Sequence, residues 1–99
     1  MRKEVQFNNG RTLEFDGVCI ASVCALNHDD TVRRRFLIYR CESGYVAQRV
    51  DDPDTVHARY WAAECSTERD IYDFFGNEPL ANYLYGRLKI RVPGLDYDQ

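Results

Sequence analysis

Lysine is nearly missing from this chain: of its 13 basic residues only two are Lys and 11 are Arg. Histidine occurs twice, proline three times, and methionine and tryptophan once each. Each scarcity excludes something. Two scattered histidines and cysteines at 19, 24, 41 and 65 contain no C-x-x-C and complete no zinc pattern. No G-x-x-x-x-G-K, G-x-G-x-x-G or H-E-x-x-H is present, so no phosphate loop, dinucleotide fingerprint or zinc-protease helix is written here. The longest apolar run, Val18 to Leu26, is nine residues interrupted by Ser22. A bilayer span needs roughly 20 residues, so no membrane association is expected. The N-terminal Met-Arg-Lys-Glu-Val-Gln has no apolar stretch behind its basic residues. No secretory leader is therefore expected, and the location expected is cytoplasmic. Repeats, low-complexity stretches and linkers are also lacking, which makes residues 1–99 one domain in expectation.

What is present is ordinary globular composition, with 44% apolar and 13% aromatic residues and a net charge of -3. A core is attainable at this length without staples. Free, mostly buried thiols are expected, consistent with a reducing compartment. Cys19 and Cys24 cannot bridge locally, since they stand five residues apart in one strand and alternate to opposite faces.

The rhythm of the chain changes at Ser66. Before it, apolar residues recur every second position; after it, they recur at helical spacing. Glu4–Phe7 and Thr12–Phe15 flank Asn8-Asn9-Gly10, a hairpin signal. The inward parity then switches, from Leu13 and Phe15 to Val18, Ile20 and Leu26, and a bulge at Asp16-Gly17 would restore one face. Thr31–Cys41, Tyr45–Val50 and Val56–Cys65 are the next three strands, separated by Glu42-Ser43-Gly44 and Asp51-Asp52-Pro53-Asp54. Ser66 or Thr67 caps a helix with Ile71, Phe74 and Phe75 on one face, and Gly76 stops it. Asn77 and Pro79 open a second helix whose stripe is Leu80, Tyr83, Leu84 and Leu88, with Gly86 placed for close packing on the sheet. The expectation is an α+β fold: an N-terminal antiparallel β-meander of about five strands (1–65), two short helices packed on one face of the sheet (66–90), and a C-terminal tail (91–99).

Two short helices cover one face, yet the strands are apolar on both. Phe36 and Ile38 oppose Leu37 and Tyr39, and Tyr60 opposes Trp61. Either the sheet curls into a partial barrel, or its second face is a protein interface. Seven Tyr and an excess of Arg over Lys favour the interface. The function expected is that of a small non-catalytic binding module, self-associating as a homodimer or meeting another protein partner. Its partner-binding residues are Arg33, Arg35, Tyr39, Arg59 and Trp61.

Three other readings compete. Residues 33–49 carry a local charge of +4, from Arg33, Arg34, Arg35, Arg40 and Arg49 against Glu42, and with Tyr39 and Tyr45 would suit single-stranded nucleic acid. Alternation splits that run between faces, and a pI near 5.3 opposes phosphate at long range, so a strand end paired with acidic turns is preferred. The acidic second half would suit an inhibitor that presents carboxylates to a nucleic-acid-binding partner. An enzyme would need a pocket between sheet and helices near His57, Cys65 and Tyr83. The three acids of Asp51–Asp54 and the His28-Asp29-Asp30 turn lack calcium-loop spacing and are read as turn residues. No catalytic residue, metal or cofactor is expected.

Overall fold

The computed structural model describes residues 1–89; Ile90 and the tail expected at 91–99 lie outside them. Five strands follow one another, each antiparallel to the last: β1 (Arg2–Gln6), β2 (Thr12–Leu26), β3 (Val32–Cys41), β4 (Gly44–Asp51) and β5 (Arg59–Cys65). Helices α1 (Glu68–Phe75) and α2 (Pro79–Leu88) complete the α+β architecture. The turns use the expected chemistry. Gly10 takes φ 84° between β1 and β2, and the Asp29 carboxylate accepts from the Thr31 amide and hydroxyl between β2 and β3. Gly44 is required twice over. Its φ is 140°, and a Cβ there would stand 2.5 Å from the Cys65 carbonyl oxygen.

Thr67 caps α1 reciprocally: its hydroxyl accepts from the Asp70 amide, while the Asp70 carboxylate accepts from the Ser66 and Thr67 amides. Those backbone donors hold the Asp70 carboxyl below its ordinary pKa. The helices lie on one face of the sheet. Ile71 and Phe75 of α1 and Ala81, Leu84 and Tyr85 of α2 pack on Val23, Phe36, Ile38 and Ala47, with Phe36 and Phe75 rings 4.7 Å apart.

Several local expectations are corrected. The fifth strand begins at Arg59, not Val56, because Asp52 and Asp54 both take positive φ and extend the turn; Val56 is 96% exposed. The register shift in β2 falls at Ile20 rather than at Asp16-Gly17. It places Cys19 and Cys24 on the same face, opposite Tyr39 and Arg35, and turns the small set Ala21, Val23 and Ala25 toward α2. Val18 and Leu26 are left about half exposed. On α2, Tyr85 is the buried aromatic and donates its hydroxyl to the Gly76 carbonyl at 2.6 Å, whereas Tyr83 is 72% exposed. Glu78, not Asn77, is the N-cap of α2, and a Cβ on Gly86 would meet nothing, so that glycine serves no close contact.

The second face is closed by curling. Beyond the helix-side core, Val5, Val46 and Val50 are buried on the opposite side of the sheet. The β1–β2 hairpin folds across this face until β1 lies beside β5, making a half-barrel. No backbone ladder joins those two strands; a side chain does it instead. Gln48, 6% exposed, accepts from the Gln6 amide at 3.2 Å and donates to the Gln6 and Trp61 carbonyls at 3.0 Å each. The Asn8 side chain adds a second tie by accepting from the Tyr60 amide. Replacing Gln48 by Leu keeps the bulk and removes all three bonds. Urea denaturation should show a loss of about 2 kcal/mol, the cost of stranding buried polar groups; unchanged stability would mean the clasp holds nothing.

Candidate functional site

The five expected partner-binding residues do not share a surface. Strand register puts Arg35 and Tyr39 on the inner face of the curl, and Trp61 opposite Arg49 and Arg59 opposite Asp51 on the helix side. Arg33 and Arg59 are exposed. Tyr39 is half-buried with its ring edge-on to Phe15 at 5.3 Å; burial, with the Cys19 thiol nearby, pushes its hydroxyl pKa up. Trp61 is half-buried beneath the Arg49 guanidinium, 4.6 Å from its ring centroid. Tyr39 and Trp61 are therefore packing residues of two different layers.

Two of the five arginines of the cluster, Arg34 and Arg49, are internally neutralised. Arg34 reaches Asp51 and Glu78, both at 3.0 Å, and Arg49 grips the same Asp51 carboxylate at 2.9 and 3.1 Å. Burial alone would raise the Asp51 pKa; the hydrogen bonds from Arg49 and Arg34 outweigh it and hold the carboxyl below its ordinary range. Glu78 stands at the N-cap of α2, so the network ties β3, β4 and the helix start together. Arg34 and Arg49 are thus committed to carboxylates.

The open surface lies elsewhere. β1 pairs with β2 only from Thr12 to Asp16, and the Gly17 amide makes the last bond, to the Met1 carbonyl at 2.9 Å. From Val18 to Leu26 the outer edge of β2 has no strand partner among the described residues. This is the nine-residue stretch without a charge or a proline. Natural sheets usually blunt such an edge with Lys, Pro or a covering element. Here a groove of about 650 Å³ runs along it, lined by Ser22, Val23 and Cys24 of β2, Arg35 and Leu37 of β3, and Leu80, Tyr83 and Arg87 of α2. Sequence reading saw this run but weighed it only for membrane length and for its two faces. The missed signal was the disparity between a four- to five-residue first strand and a second strand of 15 residues, which no short neighbour can cover.

Among the described residues, no histidine side chain hydrogen-bonds a cysteine or serine side chain. His57 lies in the turn before β5 and Cys65 at the far end of that strand, and neither lines the groove that Tyr83 borders. Among the described residues, no three His, Cys, Asp or Glu side chains converge as metal ligands, and no helix is long and apolar enough to cross a membrane. The thiols are free, but the expectation that most are buried is corrected: Cys19 and Cys24 are exposed, Cys41 is intermediate and only Cys65 is buried. An unblunted edge and its bulge hold the first two outside the core. No protein family, curated protein or solved structure matches the chain.

Burial, with Asp70 nearby, pushes the Cys65 thiol up to about 11, so it stays protonated through the neutral range. Alkylation of the native protein at pH 8 should label Cys19 and Cys24 and spare Cys65, whose labelling should rise only as pH climbs toward 11. Fast labelling of Cys65 at pH 8 would contradict its placement under α1.

Proposed function

We propose that this chain is a non-catalytic protein-binding module, and that the binding element is the outer edge of β2 with the flanking groove. The observation that carries the reading is the bare edge itself. An uncharged row of backbone donors and acceptors, bordered by α2 on one side and by β3 side chains on the other, suits an extended segment that adds as a further strand. Main-chain hydrogen bonds supply affinity in that mode, and the flanking side chains supply selectivity.

This moves the interface from the place first expected. The sheet face away from the helices is occupied by the chain's own β1–β2 hairpin, and three of the five residues chosen for a partner are not near the groove: Tyr39 packs on Phe15, Trp61 on Arg49, and Arg59 stands at the start of β5. Arg35 alone of the five lines it, one strand in from the edge.

A random-peptide display selection tests the reading without assuming the partner's sequence. Ser22, exposed at mid-edge, is replaced by Lys, a charge of the kind natural edges use against strand addition. Peptides should be enriched by the wild-type protein and lose binding to Ser22→Lys, with the melting temperature unchanged. No enrichment, or enriched peptides that bind both proteins alike, would overturn it.

A further inference from the structure

The groove beside β2 carries charge of one sign. Its two ionic side chains are Arg35 and Arg87, with no carboxylate among its lining residues. They stand on opposite sides of the edge: Arg35 shares the inner face with Cys24, and Arg87 projects from α2 on the helix side. Neither forms an ion pair with any described residue, in contrast to Arg34 and Arg49. A chain of net charge -3 thus presents an unneutralised basic pair where its backbone is bare.

Resting on the strand-addition reading above, we infer that the β2 edge accepts an extended acidic peptide segment of another protein. Side chains of an added strand alternate between its two faces. A carboxylate on the helix side meets Arg87 and one on the other side meets Arg35, so the recognised acids stand an odd number of positions apart. Apolar residues between them lie against Leu80 and Leu37, which border the same groove. The charge pattern disfavours a second copy of this chain, because antiparallel pairing of two β2 edges sets Arg35 and Arg87 against their own equivalents. It also disfavours nucleic acid, since a phosphodiester strand answers the arginines but leaves the peptide donors and acceptors of Val18–Leu26 unmatched.

The test uses the full chain and two capped Val/Thr-rich nonapeptides, one with a central Asp-Glu pair and one with Lys-Lys in its place. Fluorescence anisotropy should give at least about tenfold tighter binding of the acidic peptide, the value of two exposed charge pairs. Binding should slow amide exchange within Val18–Leu26, and Arg87→Glu, a change on an exposed helix position that leaves Arg35 in place, should abolish the preference. Equal binding of both peptides would overturn the charge assignment while leaving the strand-addition reading intact. Failure of both peptides, together with an empty display selection, would defeat that reading as well. Three further results would overturn the proposal by naming another occupant. An oligothymidylate that displaces the acidic peptide without slowing those amides makes the site one for nucleic acid. A stable dimer whose Val18–Leu26 amides are protected without peptide makes the occupant a second copy. Acidic-peptide binding seen only in an Asp96→Asn, Asp98→Asn variant makes it the chain's own C-terminal residues.

Discussion

The half-barrel depends on one buried side-chain amide. A sheet of five strands in simple order has two ends, and β1 and β5 approach without the ladder that would close them into a barrel. Gln48 supplies the missing peptide group. Its carbonyl oxygen takes the Gln6 N–H, and its two N–H donors go to the carbonyls of Gln6 and Trp61. A buried amide is costly unless its bonds are made, and this one makes three. It therefore specifies a position: the hairpin settles where Gln48 is satisfied. Hydrophobic burial of Val5, Val46 and Val50 drives the fold inward, and the amide fixes where it stops.

Closing the inner face in this way has a consequence at the edge. β1 is short, and its residues are used on Thr12–Asp16 of β2 and on the far side of the barrel. The second half of β2 is left without an outer neighbour among the described residues, although it is the least charged part of the chain. The Ile20 irregularity lets the long strand bend between its two tasks. Its first half belongs to the curl, and its second half carries Ala21, Val23 and Ala25 under α2. Small residues there let the helix lie close to the sheet, which puts Tyr83 and Arg87 along the same edge. Closure, helix packing and the proposed binding groove are linked through one strand.

The element order was legible in the sequence because two periodicities, 2 and 3.6, change over at Ser66 with turn chemistry at every joint. The helix cap, read as Ser66 or Thr67, falls at Thr67, and the helix stop at Gly76 stood where read; both are local signals. What failed was phase. A single inserted residue reverses the side chains that follow it, so moving the bulge from Gly17 to Ile20 exchanges the faces of Val18 and Cys19. The same holds on α2, where a Tyr at 83 and another at 85 satisfy an apolar stripe almost equally, and only contact with the Gly76 carbonyl and the core selects Tyr85. Glu78 was unreadable as a cap because its carboxylate answers Arg34, 44 residues earlier in the chain. The candidate site was the least legible part. Edge exposure is a property of strand pairing lengths, and binding hot-spot composition points to arginines and aromatics whether they pack inside or face a partner.

Residue-resolved amide hydrogen exchange on the isolated protein tests the central claim most directly. If Gln48 locks β1 against β5 and leaves β2 bare, the Gln6 amide should exchange as slowly as the amides of β4. Alternate amides from Val18 to Leu26 should exchange orders of magnitude faster. A Gln6 amide that exchanges like a free terminus, with Val18–Leu26 uniformly protected, would contradict both the clasp and the open edge.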